Sequence, residues 1–229
     1  MNGLVSTIIF LPILASIIIV VVLKNDRLIR RFSFGIVFVE LILTIFAFSL
    51  YDKTKGGVQL VDFVEGWIPI KGFNANYLVG IDGLSAPLVL LTGILGAAAV
   101  WSSWRVSNRI RGYFALLLFL QGVVTGVFVS LDLLLFFVFW EAELIPMYFL
   151  ISVWGSGRAQ YSAVKFVIFT LFAGALLIIA ILTVYLAQGI NTFTMVSVPS
   201  LGLQGIPELM SGANFLLPIG IVFWLFFIS

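Results

Sequence analysis

Two carboxylates lie in the middle of a long apolar run, where charged groups are rare. The run reads FVFWEAELIPMYFL over residues 137–150; it contains Glu141 and Glu143, and Pro146 follows. A charge at the centre of a lipid bilayer costs about 2.5–3.5 kcal/mol even on insertion scales, so such acids persist where they face protein, water or a partner charge. Buried acids of this kind are typical of proton paths, and we interpret both as candidate proton-transfer groups.

The spacing of these residues indicates a loosened helix with two separate acids. Glu141 and Glu143 are about 200° apart around a helix, so they face different directions and do not form a paired-carboxylate catalytic site. Pro146 lacks an N–H and crowds the carbonyl of Ala142, and a freed carbonyl beside a buried acid attracts the water that a proton path needs. The alternative is that neighbouring helices merely satisfy two structural acids.

A lysine and a third acid also fall within apolar runs. Lys165 lies in YSAVKFVIFT, about 10 Å in height from Glu141 if both segments are helical. Its ammonium either reaches the interface on its four-carbon stem or faces the acids across a hydrated gap, where it would oppose the effect of burial on Glu141. Glu40 is alone in its run, and the sequence leaves its role open.

The composition shows that these groups are surrounded by apolar residues. Hydrophobic residues make up 62% of the 229 residues, charged residues 10%, and the mean hydropathy is +1.22, which indicates an integral membrane protein. The chain has neither cysteine nor histidine, which excludes thiol chemistry and removes the commonest metal ligand. We expect no thiolate or imidazole metal site in the chain, and no nucleic-acid partner.

Apolar length and loop charge predict an all-α membrane protein. Spanning helices need about 20 residues, and the predicted spans are 3–23, 32–50, 84–104, 113–131, 133–153, 162–186 and 213–229. The loops 24–31, 105–111 and 154–161 hold eight Lys and Arg, so the positive-inside rule places the N-terminus outside. The outer loop 51–83 alternates near Asn74–Leu78, which predicts a hairpin or a re-entrant element.

Small residues and turn residues add two local predictions. Gly122 and Gly126 lie four residues apart in the fourth predicted span, a spacing that allows close packing of helices. The stretch DGLSAP predicts a helix start, with Asp82 or Ser85 as the capping residue and Pro87 in the first turn.

Three segments resemble the antiporter-like subunit 4 of respiratory complex I, in its bacterial M and cyanobacterial or chloroplast D forms. They are VGIDGLSAPLVLLTG (79–93), LLLFFVFWEAELIPMYFLISVWG (133–155) and YSAVKFVIFT (161–170). Multisubunit cation/proton antiporters share the superfamily, but the sequence motifs GIDGLS and WEAELIPM favour complex I. The resemblance covers essentially the whole chain.

The resemblance implies a proton-translocating, non-redox membrane subunit of a NADH:quinone oxidoreductase. NADH, flavin, iron–sulfur clusters and quinone are then expected in partner subunits, and the partners are other membrane subunits and the lipid bilayer. Glu141 and Lys165 match the fifth-helix glutamate and sixth-helix lysine of the family, while Glu143 matches a second acid of cyanobacterial-type members. Two alternatives stay open: a subunit of a cation/proton antiporter, or a membrane scaffold that does not pump.

The family fold also implies a division of the chain and a location. It contains two inverted-topology repeats with about twice as many helices as this chain, so we expect the N-terminal half only, unable to pump alone. Residues 1–112 would hold the first three helices and the external loop 51–83, and residues 113–229 the start of the proton-translocating domain. The expected location is the bacterial plasma membrane, or a thylakoid or organelle inner membrane.

Overall fold

A computed structural model describes residues 3–68, 74–187, 192–209 and 218–229, and the described chain is mainly helical. Its helices are α1 (Leu4–Val21), α2 (Asp26–Leu50), α3 (Ser85–Ser102), α4 (Ile110–Val129), α5 (Leu133–Ala142), α6 (Leu144–Trp154), α7 (Ala159–Tyr185), α8 (Ile206–Leu209) and α9 (Ile219–Ile228). An antiparallel hairpin of β1 (Gln59–Val64) and β2 (Tyr77–Ile81) lies between α2 and α3. Short 3-10 turns follow α3 and precede α8.

Six segments of the described chain are long and apolar enough to cross a membrane. They are Leu4–Val21, Asp26–Leu50, Ser85–Arg105, Ile110–Val129, Leu133–Trp154 and Ala159–Tyr185. They match the first six predicted spans, so the helical membrane architecture is confirmed. The seventh predicted span, 213–229, lies partly outside the described residues, and its described part forms the ten-residue α9.

The second span begins earlier than hydropathy alone predicts. The sequence placed its start at residue 32, whereas α2 begins at Asp26. The side chain of Asn25 accepts a hydrogen bond from the Arg27 N–H at 3.0 Å, and Asp26 lies in the first turn, where an acid complements the helix dipole. The charged first turns of α2 therefore continue the helix beyond the apolar segment.

Close helix packing centres on α4, as the two glycines predict. Gly122 lies against α1, where a Cβ atom would come 2.6 Å from the carbonyl oxygen of Ile9. Gly126 lies against the ring of Phe139 on α5. The boundary predicted between residues 112 and 113 falls inside α4, so the two-part division of the chain stays a prediction.

The loops that the sequence predicts to be internal meet at one end of the bundle. Arg30 on α2 donates to the Val106 carbonyl at 2.9 Å, and Arg111 donates to the carbonyls of Ile19 and Val20 at the end of α1. The indole N–H of Trp154 donates to the Asn108 carbonyl at 2.9 Å. Arg111 therefore caps free carbonyls at the end of α1, a common use of basic residues, while Arg30 connects α2 to the segment after α3.

The opposite end of the bundle is covered by the hairpin, which confirms the predicted element in the outer loop. Asp62 on β1 accepts hydrogen bonds from the N–H of Gly3 and from the N–H and hydroxyl of Ser6, at the start of α1. Asp82 accepts from the N–H groups of Leu84 and Ser85 at the start of α3, as the cap prediction requires. The small sheet is an addition to an otherwise helical fold.

Candidate proton-transfer site

The fifth span is interrupted beside its two acids. Helix α5 ends at Ala142, Glu143 stands between the helices, and α6 begins at Leu144. Pro146 is the third residue of α6 and cannot donate to the carbonyl of Ala142, four residues before it. The interruption therefore lies where the proline leaves a backbone carbonyl without its helical partner.

The carboxyl group of Glu141 points towards α7 and reaches the chain at Gly174. A Cβ atom at Gly174 would overlap the Glu141 carboxyl oxygen Oε1, so the glycine provides the space that the acid occupies. This oxygen is buried, and it has no hydrogen-bond partner among the described residues. Burying a polar atom without a partner costs about 1–3 kcal/mol. A proton, or a donor from outside the described chain, would relieve that cost.

Glu141 also lines a groove between α6 and α7 with a volume of about 350 Å³. The groove is mainly apolar, and besides Glu141 its lining includes one further polar side chain, that of Tyr148. Glu143 is half-buried and is not among the lining residues, yet it lies close enough to Glu141 for the two carboxylates to repel each other. The acids therefore occupy different faces, as their spacing predicts, and remain electrostatically coupled.

The structure does not bring Lys165 to Glu141. Lys165 is exposed on α7, and its ammonium lies 5.8 Å from the centre of the Phe169 ring. It precedes Gly174 by nine residues, which is about 14 Å along the axis and about half a turn around the helix. Its charge is therefore on the opposite face of α7 from the acid, and its role in transport stays a prediction.

Another acid, whose role the sequence left open, lies among α2, α3 and α4. Glu40 is completely buried and faces the side chain of Gln121 on α4. Neither carboxyl oxygen of Glu40 and neither amide atom of Gln121 makes a hydrogen bond of good geometry within the described chain. The Gln121 amide fills the position that a Cβ would take at Gly96 on α3. Glu40 therefore has a neutral polar neighbour within the three-helix contact.

Asp132 joins the start of α5 to the segment before β2, at the end of the bundle that carries the hairpin. Its side chain is fully buried and accepts hydrogen bonds from the N–H groups of Leu134, Leu135 and Asn76, at 3.0, 3.1 and 3.2 Å. Burial raises the pKa of Asp132 to about 6, against the effect of these hydrogen bonds, which lower it. Asp132 thereby caps α5 and fixes the start of the span that carries Glu141.

Sequence reasoning missed Gly174, Gln121 and the structural importance of Asp132. Gln121 could have been found as a polar residue inside an apolar run, by the same rule that selected Glu40. Asp132 directly precedes an apolar run, which is a signal for a helix cap. Gly174 carries no such signal, because its importance depends on which residue packs against it.

Comparison with known proteins shows what the chain is similar to. Residues 130–226 match the NADH:quinone oxidoreductase/Mrp antiporter transmembrane family. The match covers 97 of the 229 residues and includes both acids of the fifth span. "NAD(P)H-quinone oxidoreductase chain 4 1" of Nostoc is 36% identical over 221 residues, and "NAD(P)H-quinone oxidoreductase chain 4 2" of Microcystis aeruginosa is 38% identical over 222 residues. These alignments confirm the resemblance to subunit 4. They cover 94% of this chain and 40% and 39% of the relatives, so the chain spans about two fifths of their length.

Solved structures share the fold of this chain. A chain of respiratory complex I from Thermus thermophilus with bound NADH is 26% identical and superposes with a TM-score of 0.73, covering 83% of this chain and 38% of that one. A chain of the Mrp complex from Dietzia is 15% identical with a TM-score of 0.70, covering 96% of this chain and 22% of that one. The second likeness shows the fold alone, and both chains come from complexes of several subunits.

Proposed function

We propose that this chain is part of a proton-translocating membrane subunit of an NAD(P)H-quinone oxidoreductase, and that Glu141 carries the proton. The observation that supports this most directly is the position of the Glu141 carboxyl group. It has a buried oxygen without a partner in the described chain, and it lines the groove between α6 and α7. The relatives that align with 94% of the chain are named as chains of this oxidoreductase.

In this proposal the redox chemistry takes place in partner subunits. NAD(P)H, flavin, iron–sulfur clusters and quinone would be bound there, and this chain would contribute a path for protons as a non-redox subunit. Its partners would be the other membrane subunits, in a bacterial plasma membrane or in a thylakoid or organelle inner membrane. The energy of electron transfer would reach this chain through the packing of its helices against those partners.

The local geometry suggests how a proton passes Glu141. The groove between α6 and α7 gives the carboxyl group access from one side, and Gly174 provides the space that the carboxyl group occupies on the other. The free carbonyl of Ala142 is an acceptor that can orient water beside the acids. Because Glu143 and Glu141 repel each other when both are ionised, a change of charge at one acid alters the proton affinity of the other.

Lys165 has a weaker, long-range place in the proposal. Along the axis of α7 it lies about 14 Å from Gly174, the residue that contacts Glu141, and it is on the opposite face of the helix. Coulomb's law with an effective dielectric constant of about 20 gives about 1 kcal/mol for unit charges separated by about 15–20 Å. We therefore assign Lys165 the role of biasing the protonation of Glu141 from a distance, without direct contact.

The decisive experiment replaces the acids one at a time in the intact oxidoreductase that contains this sequence. Glu141→Gln preserves the shape of the side chain and removes the exchangeable proton. We expect proton pumping into inverted membrane vesicles to fall at least about tenfold, as for the loss of a positioned acid–base group. The amount of assembled complex should match the parent.

Glu143→Gln and Lys165→Met are the matched variants. We expect Glu143→Gln to reduce pumping less than Glu141→Gln, and Lys165→Met to shift the pH profile of pumping. Near-normal pumping by Glu141→Gln together with an inactive Glu143→Gln would reverse the assignment. Parent-like pumping by all three variants would instead favour a scaffold without a proton path.

A cation/proton antiporter subunit is the second candidate function. The observation in its favour is that the family description matched by residues 130–226 includes the Mrp antiporter. An antiporter would exchange Na⁺ for protons without quinone reduction, and it would purify without redox subunits. Identification of the subunits that accompany the native chain therefore separates the two candidates.

A further inference from the structure

A cavity at the basic end of the bundle combines aromatic rings with a free cation. It has a volume of about 460 Å³ and is lined by Phe34 of α2 and by Trp101, Ser102, Trp104 and Arg105 at the end of α3. The Phe34 ring lies 5.7 Å from Trp101 and 6.4 Å from Trp104, centre to centre. Trp101 and Trp104 are 71% and 43% exposed, so both rings are available to a ligand. Tryptophans at a helix end are typical of the membrane interface.

An apolar groove continues from this cavity towards the middle of the membrane. It has a volume of about 320 Å³ and shares Phe34 and Trp101 with the cavity. Its remaining wall consists of Val37 and Phe38 on α2 and Ala97 and Ala98 on α3. The two alanines are small and the whole lining is apolar, so the polarity of the groove suits a hydrocarbon chain.

The charge at this end of the bundle favours an anionic ligand. The segments 24–31, 105–111 and 154–161 contain eight basic residues and one acid, Asp26. Within the described chain, no hydrogen bond or ion pair engages the guanidinium of Arg105. The neighbouring carbonyl of Val106 is held by Arg30 at 2.9 Å, which fixes the chain beside the cavity.

We propose that this cavity and its groove bind one anionic phospholipid, with the phosphate at Arg105 and an acyl chain between α2 and α3. Guanidinium groups recognise phosphate through charge-assisted hydrogen bonds. Basic pockets between spanning helices at the cytoplasmic side are suited to anionic headgroups. A free phosphate would use Arg105 but leave the groove empty, so the continuous apolar wall favours a lipid. This site is separate from Glu141 and does not depend on the proposed proton transfer.

Native mass spectrometry of the purified chain in a neutral detergent tests the proposal. Equal concentrations of phosphatidylglycerol and phosphatidylcholine are offered, and we expect phosphatidylglycerol to bind preferentially with one tightly retained molecule. Arg105→Gln should reduce this preference about tenfold, the change expected from one charge-assisted hydrogen bond. Arg158→Gln is the matched control, since it removes the same charge at the same end outside the cavity, and it should retain the preference.

A second variant tests the groove independently of the charge. Ala98→Leu places a larger side chain in the groove, and we expect weaker retention of phosphatidylglycerol while Arg105 is intact. Equal binding of the two lipids by the parent would overturn the proposal, as would an unchanged preference in both Arg105→Gln and Ala98→Leu. An equal loss in Arg158→Gln would mean diffuse attraction to the basic end. Displacement of the lipid by inorganic phosphate alone would mean a simple anion site.

Discussion

Replacement of Gly122 by alanine should separate α1 from α4, because the added methyl group has no space. Its Cβ would lie 2.6 Å from the Ile9 carbonyl oxygen, 2.6 Å from Cγ1 of Ile13 and 3.0 Å from Cγ of Pro12. A backbone carbonyl and a proline ring cannot swing aside, so the helices themselves must move. Overpacking costs about 1–3 kcal/mol, and alanine in a helix recovers about 0.5–1 kcal/mol. We expect Gly122→Ala to lower the free energy of unfolding by about 1–2 kcal/mol.

The matched control is Gly35→Ala in α2, where no atom lies within 4 Å of the added Cβ. The same exchange should then show only the helix preference of alanine, a gain of about 0.5–1 kcal/mol. Unfolding of the purified chain in mixed micelles with increasing dodecyl sulfate, followed by circular dichroism, measures both variants. If Gly122→Ala unfolds at the same denaturant fraction as Gly35→Ala, α1 and α4 do not pack as closely as described and the reasoning is refuted.

Three further predictions concern the site and the orientation of the chain. Gly174→Ala should leave the free energy of unfolding within about 1 kcal/mol of the parent, because its Cβ displaces only the end of a flexible side chain. It should nevertheless impair proton pumping, because it moves the Glu141 carboxyl group. Parent-like pumping would contradict the role of this contact. Burial raises the folded-state pKa of Asp132 to about 6, above its ordinary value, so its contribution to stability is complete below about pH 4 and is lost as the pH rises to about 6. Asp132→Asn should reduce the dependence of the unfolding free energy on pH across that range. An unchanged dependence would contradict the assignment of this titration to Asp132. A cysteine at Asn108 should react only with reagents on the cytoplasmic side, since the chain has no other cysteine and the basic loops meet there; labelling from outside would reverse the topology.

The positions of the spanning helices could be predicted because the bilayer imposes a minimum apolar length. The start of α2 could not be placed by the same rule, since residues 26–31 are largely charged and lower the local hydropathy. Helix formation there is supported by the Asn25 cap and by the hydrogen bond from Arg30 to the Val106 carbonyl, and hydropathy measures neither. Capping residues and apolar length are therefore separate signals for one helix.

The acids of the site could be predicted because a charge in an apolar run is conspicuous in any sequence. The neighbours of those acids could not, because they depend on how helices rotate against one another. Gly174 reaches Glu141 only because that face of α7 turns towards α5, and the same rotation directs Lys165 away. A helical period gives relative directions within one helix, whereas contact between two helices requires their packing.

Glu40, which is fully buried, and Glu141, which is half-buried, differ in what surrounds them. Glu40 is enclosed by α2, α3 and α4 and faces the amide of Gln121, which itself lines a groove of about 290 Å³ between α3 and α4. Glu141 combines one buried, unpartnered oxygen with a groove, a break in its own helix and a second acid nearby. A carrier must both bind and release its proton, and release requires access. We therefore expect Glu141, whose carboxyl group lines a groove directly, to exchange its proton more readily than Glu40, which is fully buried.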